Sequence, residues 1–233
     1  MSLGFAVQQR HRSVKPTQAA LFRDIPVSTI SDSMHRMTAG GSGIVLLNTD
    51  LSTQMAGAAL TVRTRPGDNL LVHKALTMIA PGDVLVIDAG ADTTNAIIGE
   101  IMLAAAVASG LVGLVVDGAI RDAATLRTGV TPVFARGVTH RGPYKDGPGE
   151  INVPVTIGGM VVHPGDLVLG DADGIVAIPP DHVDQVHALA AAKTQEEAIA
   201  LQIALRGDRN AGWVDARIAA LYGDGIAASR PGR

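Results

Sequence analysis

The chain has 233 residues, 47% of them hydrophobic and 18% charged, with a formal net charge of −3, the profile of a folded globular protein and not of a disordered one. Acidic and basic residues are interspersed and leave no electrostatic footprint for nucleic acid. The absence of cysteine excludes disulfides, zinc-thiolate sites and thiol nucleophiles, and with only 3% aromatic residues the core must be built from Val, Ile, Leu and Ala.

Residues 1–16 are polar and read as an N-terminal arm without the apolar core and cleavage site of a signal peptide. No apolar run reaches the roughly 18 residues that suggest a membrane span, so the expectation is a soluble cytoplasmic protein with neither membrane nor nucleic acid as partner. Helical spacing follows in two pieces, Ala19, Leu21 and Phe22, then Ile30, Met34 and Met37 beyond Pro26, with Ser28 placed to cap the second. The cluster Gly40-Gly41-Ser42-Gly43 lacks a following Lys-Ser/Thr and reads as a connection, not a phosphate cradle. Alternation predicts a strand over 55–65 and an amphipathic helix over 69–79. Pro-Gly-Asp occurs at Pro66, Pro81 and Pro164 as a recurring turn whose Asp can bond turn amides, and strands are expected after the last two, at 84–87 and 167–169. Asp88-Ala89-Gly90-Ala91 resembles a methyltransferase nucleotide motif but lacks its second glycine.

Residues 99–126 predict an acidic residue opening an apolar helix, then a buried strand over 112–116, then a charged turn. The helix is apolar on nearly every face and reads as buried. Its start at Gly99-Glu100 offers unpaired N–H groups and a positive dipole end to a carboxylate or phosphate. The strand delivers Asp117-Gly118 and Arg121-Asp122 to one end of the sheet, either as solvated caps or as a site, and Asp122 is also placed to N-cap residues 123–126. A strand over 132–136 leads into a Gly/Pro-rich loop, 137–150, that holds Lys145. Short strands follow at 151–155, 160–162, 167–169 and 175–178. Asp171 and Asp173 lack the remaining ligands of a calcium loop and read as a turn. A helix from about 181 to 206 would be close to 40 Å long at 1.5 Å per residue, enough to reach another subunit. An amphipathic piece at 213–221 and a flexible tail at 223–233 complete the chain.

Glu100, twenty intervening residues, then Arg121-Asp122 resembles the signature of the RraA-like family, which includes the metal-dependent 4-hydroxy-4-methyl-2-oxoglutarate/4-carboxy-4-hydroxy-2-oxoadipate aldolases. Further matching stretches are Ser31-Asp32-Ser33-Met34, Pro81 to Val86, Val116 to Asp122, Ala135-Arg136-Gly137, Gly147 to Glu150, and Pro164-Gly165-Asp166 through Gly174. The resemblance implies an α/β fold, a layered β/β/α sandwich of the RraA-like, swivelling-domain-like type, forming a single domain over 17–222 and assembled as a homotrimer or homohexamer with active sites between subunits. It implies Asp122 as the direct ligand of Mg²⁺ or Mn²⁺, Arg121 as the group that holds and stabilises a 2-oxo acid, and the backbone of Gly99, Glu100, Ile101 and Met102 as the seat of the substrate carboxylate. Glu100, one methylene longer than the Asp usual in the aldolases, would orient a water that shuttles the proton, and Glu196 or Glu197 is the candidate acid from a neighbouring subunit's long helix. The implied activity is lysis of a 4-hydroxy-2-oxo acid to pyruvate and a second oxo acid, with oxaloacetate decarboxylation. The alternative is a non-catalytic regulator that binds ribonuclease E or another protein; some such members lack the Asp that this chain keeps.

Other chemistries find less support in the residues. A Schiff-base aldolase needs a lysine in a desolvated pocket, and the four lysines, Lys15, Lys74, Lys145 and Lys193, stand mostly in polar surroundings. The seven histidines form no metal-ligand pair at helical or strand spacing. Ser31-Asp32 lacks a nucleophile elbow.

Overall fold

Runs of branched apolar residues separated by Gly, Pro and Asp dictate mostly short strands. The computed structural model describes residues 4–38, 40–41, 43–208 and 212–223. In chain order the elements are β1 (Phe5–Val7), α1 (Pro16–Ala19), α2 (Val27–Ser33), β2 (Val45–Leu46), β3 (Met55–Thr64), α3 (Leu70–Leu76), β4 (Asp83–Asp88), β5 (Ala96–Ile98), α4 (Glu100–Ala108), β6 (Gly113–Ile120), α5 (Ala123–Thr128), β7 (Val133–Val138), β8 (Gly149–Ile151), β9 (Val155–Ile157), β10 (Met160–Val162), β11 (Leu167–Asp171), β12 (Gly174–Ile178), α6 (Val183–Leu205) and α7 (Gly212–Tyr222). Contacts divide the chain into two units, one ending at Lys193 and the other beginning at Thr194.

The first unit is built on β3, β4, β6 and β7, neighbours in one sheet and parallel throughout. Alternate residues of a strand face opposite sides, and both sides here are apolar. Leu60, Val62, Leu85, Ile87, Leu114 and Val116 face a helical layer supplied by Leu71 and Val72 of α3, Leu103 and Ala106 of α4, and Leu126 of α5. Ala59, Val84, Val86, Val115 and Phe134 face a second β layer, with Val155, Ile157, Met160 and Val162 of the β9–β10 hairpin. This is the expected layered sandwich. A third cluster packs α1, α2 and the first turns of α6, through Val183, Val186 and Ala190, against β11 and β12. Leu85 and Leu114 are fully buried, so truncating either to Ala would cost about 2–5 kcal/mol.

Several elements differ in extent from the sequence reading. The central strand β6 runs on to Ile120, because Asp117 is satisfied where it lies: Arg136 Nε donates to it at 2.6 Å and the Gly158 amide at 2.7 Å. Within the strand, residue 118 must be glycine, because a Cβ there would lie 2.9 Å from that of Ala89. The apolar helix α4 buries only Leu103 and Ala106; Ile101 is 82% exposed. A single layer of sheet covers one side of a helix, and most of the rest of α4 in the first unit is exposed among the described residues.

The N-terminal arm is fastened at several points from β1 onward. β1 pairs parallel with β8, Arg10 contacts Asp83 at 2.8 Å and the Ala59 carbonyl at 3.2 Å, Val14 is buried, and Arg12 pairs with Asp181. In the second unit, the later half of α6 exposes Leu201 and Leu205, and α7 buries no residue. Among the described residues no helix is long and apolar enough to cross a membrane. Of the expected tail at 223–233, all but Gly223 lies outside the described residues.

Candidate functional site

The site forms where β6 ends beside the start of α4. Gly99 is the N-cap residue of α4, with extended backbone at φ −141°. A Cβ there would come within 2.3 Å of Asp122 Oδ2 and 2.9 Å of Arg121 Cγ, so glycine is required by the close approach of these two side chains and not by its own backbone angles. Asp122 stands at the N-cap of α5 but makes no capping bond to it. Its backbone is left-handed, φ 58° and ψ 38°, a conformation costing a non-glycine residue roughly 1–2 kcal/mol. That turn sends the carboxylate across to the neighbouring helix, where Oδ2 accepts the Glu100 amide at 3.0 Å. Arg121 is held from behind by its own amide, which donates to the Ile98 carbonyl at 3.0 Å, and its Nε lies 3.7 Å from Asp122 Oδ2. Both side chains are nearly half exposed, so this ion pair contributes at most about 1 kcal/mol to stability. The strained turn is not explained by stability alone.

Arg121 separates two cavities. One, of about 170 Å³, is lined by Asn69, His73, Met102, Lys145 and the start of α4. The first-turn amides of Ile101 and Met102 have no acceptor within the helix, and with Arg121 and Lys145 they make this cavity electropositive. Burial, and secondarily the charge of Lys145, holds the pKa of His73 below its ordinary 6.5. Asn69 is 2% exposed; its Nδ2 donates to the Ile97 carbonyl at 2.9 Å, while Oδ1 is buried without a partner. Such an oxygen costs about 1–3 kcal/mol until a donor reaches it, which suits a ligand hydroxyl or an ordered water. The other cavity, of about 300 Å³, is lined by Asp122, Val138, Thr139 and His140.

The residues singled out in the sequence therefore fall unequally. Arg121, Asp122, Gly99, Ile101 and Met102 come together. Glu100 joins them through its amide, but its carboxylate lies in the groove between α4 and α5 and accepts the Thr125 hydroxyl at 3.3 Å. Glu196 and Glu197 lie on exposed turns of α6 in the second unit. Asp117 and Arg136 bond each other away from the site. Sequence reading missed Asn69, His73, Thr139 and His140 as contributors. Asn69 and His73 did carry a signal, since a four-residue spacing puts two side chains on one helix face. The loop 137–150, expected from the sequence to build a pocket wall, supplies Lys145 to one cavity and Thr139 and His140 to the other.

Among the described residues no three His, Asp or Glu side chains cluster as metal ligands. A hard divalent ion such as Mg²⁺ keeps several waters and needs only one or two carboxylates. Asp122 fits that requirement: Oδ2 is engaged by one amide, and the carboxylate borders an open cavity from which waters could complete the shell.

The family described as RraA-like, Aldolase/RraA, matches residues 27–177. A Halalkalibacterium halodurans protein named "Putative 4-hydroxy-4-methyl-2-oxoglutarate aldolase" is 46% identical over 165 residues, covering 71% of this chain and 78% of its own. An uncharacterized protein from Pseudomonas syringae pv. tomato shares the fold with a TM-score of 0.76 at 24% identity, over 85% of this chain and 97% of that one. Streptomyces coelicolor RraAS2, described as an unusual member of the RNase ES inhibitor RraA protein family, gives a TM-score of 0.72 at 26% identity, over 81% of this chain and 98% of its own.

Proposed function

From the premise that the chain belongs to the RraA-like family, we propose that it is a divalent-metal-dependent lyase that cleaves a 4-hydroxy-2-oxo acid, such as 4-hydroxy-4-methyl-2-oxoglutarate, to pyruvate and a second oxo acid, and that it also decarboxylates oxaloacetate. The observation that carries this reading is the strained Arg121-Asp122 turn, which presents a cation and a carboxylate side by side at the border of two cavities. The electropositive cavity suits the 2-oxo acid end, with the amides of Ile101 and Met102, Lys145 and the Arg121 fork as partners for the substrate carboxylate. The second cavity suits the part of the substrate that departs.

Asp122 would hold Mg²⁺ or Mn²⁺, and the bound ion would polarise the keto oxygen and stabilise negative charge developing there. Cleavage breaks the C3–C4 bond as the 4-hydroxyl gives up its proton, and the electron pair stays on the pyruvate half as an enolate until C3 takes a proton. Arg121, preorganised by its backbone bond to Ile98, stabilises that charge more in the transition state than in the ground state. Glu100 supports the site through its amide, which orients Asp122. Its carboxylate faces away from both cavities, which favours an acid from a neighbouring subunit, Glu196 or Glu197, as the proton carrier. A homotrimer or homohexamer fits the uncovered apolar side of α4, where Ile101 is 82% and Val107 40% exposed.

Pyruvate release from 4-hydroxy-4-methyl-2-oxoglutarate and from oxaloacetate, measured with Mg²⁺ and again after EDTA, tests the reading. Metal-dependent release supports it, and no release from either acid contradicts it. The likeness to RraAS2 favours a second reading, a protein-binding regulator of the ribonuclease E type without turnover. Tight binding to such a ribonuclease by a chain that turns over neither acid would favour that alternative.

A further inference from the structure

Three Pro-Gly-Asp turns share one geometry and differ in what the carboxylate does. Gly67, Gly82 and Gly165 all have positive φ, at 75°, 91° and 86°. The following Asp amide donates to the carbonyl three residues back in each case, Asp68 to Arg65 at 3.0 Å, Asp83 to Ala80 at 3.1 Å and Asp166 to His163 at 3.1 Å. Asp83 and Asp166 then close their own turns, accepting the amides of Ala80 at 2.9 Å and His163 at 2.8 Å. Asp68 does not. Its Oδ1 accepts the Leu70 amide at 2.9 Å, at the start of α3. Its Oδ2 reaches a segment nearly eighty residues on, accepting the amides of Asp146 at 2.8 Å and Gly147 at 2.9 Å. The Arg65 guanidinium stands 3.3 Å away, and the Asp68 side chain has no exposure.

We propose that Asp68 is a positioning residue for the electropositive cavity: its buried carboxylate clasps the first turn of α3, with Asn69 and His73, to the loop that carries Lys145. The proposal rests on the reading of this cavity as the seat of a 2-oxo acid. Burying a carboxylate is costly unless it is fully hydrogen-bonded, and here three amides and a guanidinium compensate it. Backbone bonds alongside, Tyr144 N–H to Gly67 O at 2.8 Å and Asn69 N–H to Tyr144 O at 3.0 Å, fix the register of the two walls. The carboxylate sits between residues adjacent in sequence to Asn69 on one wall and Lys145 on the other. An asparagine cannot substitute, because its amide nitrogen is a donor and would face a backbone N–H whichever way it turned.

The test compares the full chain with Asp68→Asn. The expected results are hydrogen exchange at Asp146 and Gly147 faster by about tenfold or more, the worth of a charge-assisted bond, with the amides of β4 and β6 unchanged. The His73 titration should rise toward 6.5 as water enters and Lys145 moves away, and pyruvate affinity should weaken about tenfold. Unchanged exchange at residues 146 and 147 would overturn the clasp. Faster exchange with an unmoved His73 titration would reduce Asp68 to a fold residue and also overturn the proposal. Should the variant fail to fold, the unsubstituted protein decides: the amides of Leu70, Asp146 and Gly147 should share one protection factor once each residue's intrinsic exchange rate is divided out, and unequal protection factors overturn the clasp. Neither exchange nor the His73 titration needs a ligand, so an intact clasp in a protein that binds no pyruvate counts against the lyase reading and not against this one.

Discussion

Gly99→Ala is the sharpest perturbation of the site, because it adds one methyl group where only Arg121 and Asp122 are in the way. The extended backbone of Gly99 accepts alanine without strain, so the effect is one of space. The new carbon would lie 2.3 Å from Asp122 Oδ2, and an unstrained carbon–oxygen contact of about 3.3 Å requires the carboxylate to retreat by about 1 Å. That retreat breaks the 3.0 Å bond from the Glu100 amide. Losing an anion at the start of α4 and replacing an N-cap glycine together cost about 1–2 kcal/mol, a Tm fall of a few degrees for a chain of this length. A 1 Å misplacement of reacting groups costs about 10²-fold in rate. Pyruvate release with saturating Mg²⁺, read beside a thermal melt, measures both. A rate within about threefold of the unsubstituted protein, with the fold intact, would refute the claim that this contact sets the site.

Three other outcomes follow from the same geometry. Asp122→Asn should lower metal-dependent pyruvate release by at least about 10²-fold, with a Tm fall smaller than that of Gly99→Ala, since the Arg121 pair is half exposed and Asn keeps an acceptor for the Glu100 amide; near-normal turnover would remove Asp122 from the metal site. Arg121→Lys should lower kcat by about 10²-fold, because a point charge cannot replace the planar fork that borders both cavities, and an unchanged kcat would argue against substrate contact. His73 has its folded pKa below the unfolded 6.5, so as pH falls through 6.5 the unfolded chain takes the proton first and stability declines until the folded value is passed. Urea unfolding between about pH 7.5 and about pH 5.5 should show that decline in the native chain and a smaller one in His73→Gln.

Periodicity and composition carried most of the fold. The apolar runs at 84–87 and 112–116 read as buried strands, and both lie in the parallel centre between the helical and β layers. What escaped depends on partners distant in sequence. Asp117 looks like a strand end until Arg136 and Gly158 are seen to satisfy it. The polar arm looks loose until β8, some 144 residues away, pairs with β1. Local pattern also overstates the burial of α4, whose apolar character on all sides exceeds what one sheet covers. At the site, Arg121 and Asp122 were legible from their spacing to Glu100. The spacing of Asn69 and His73 puts them on one helix face, but that they line a cavity opposite Lys145 depends on a loop some seventy residues away.

A crystal structure of the protein with Mn²⁺ and pyruvate tests the central claim most directly. The ion should be found on Asp122, with the pyruvate carboxylate against the Ile101 and Met102 amides and its keto oxygen within reach of Arg121. Pyruvate bound away from Arg121, or an ion held without Asp122, would contradict it.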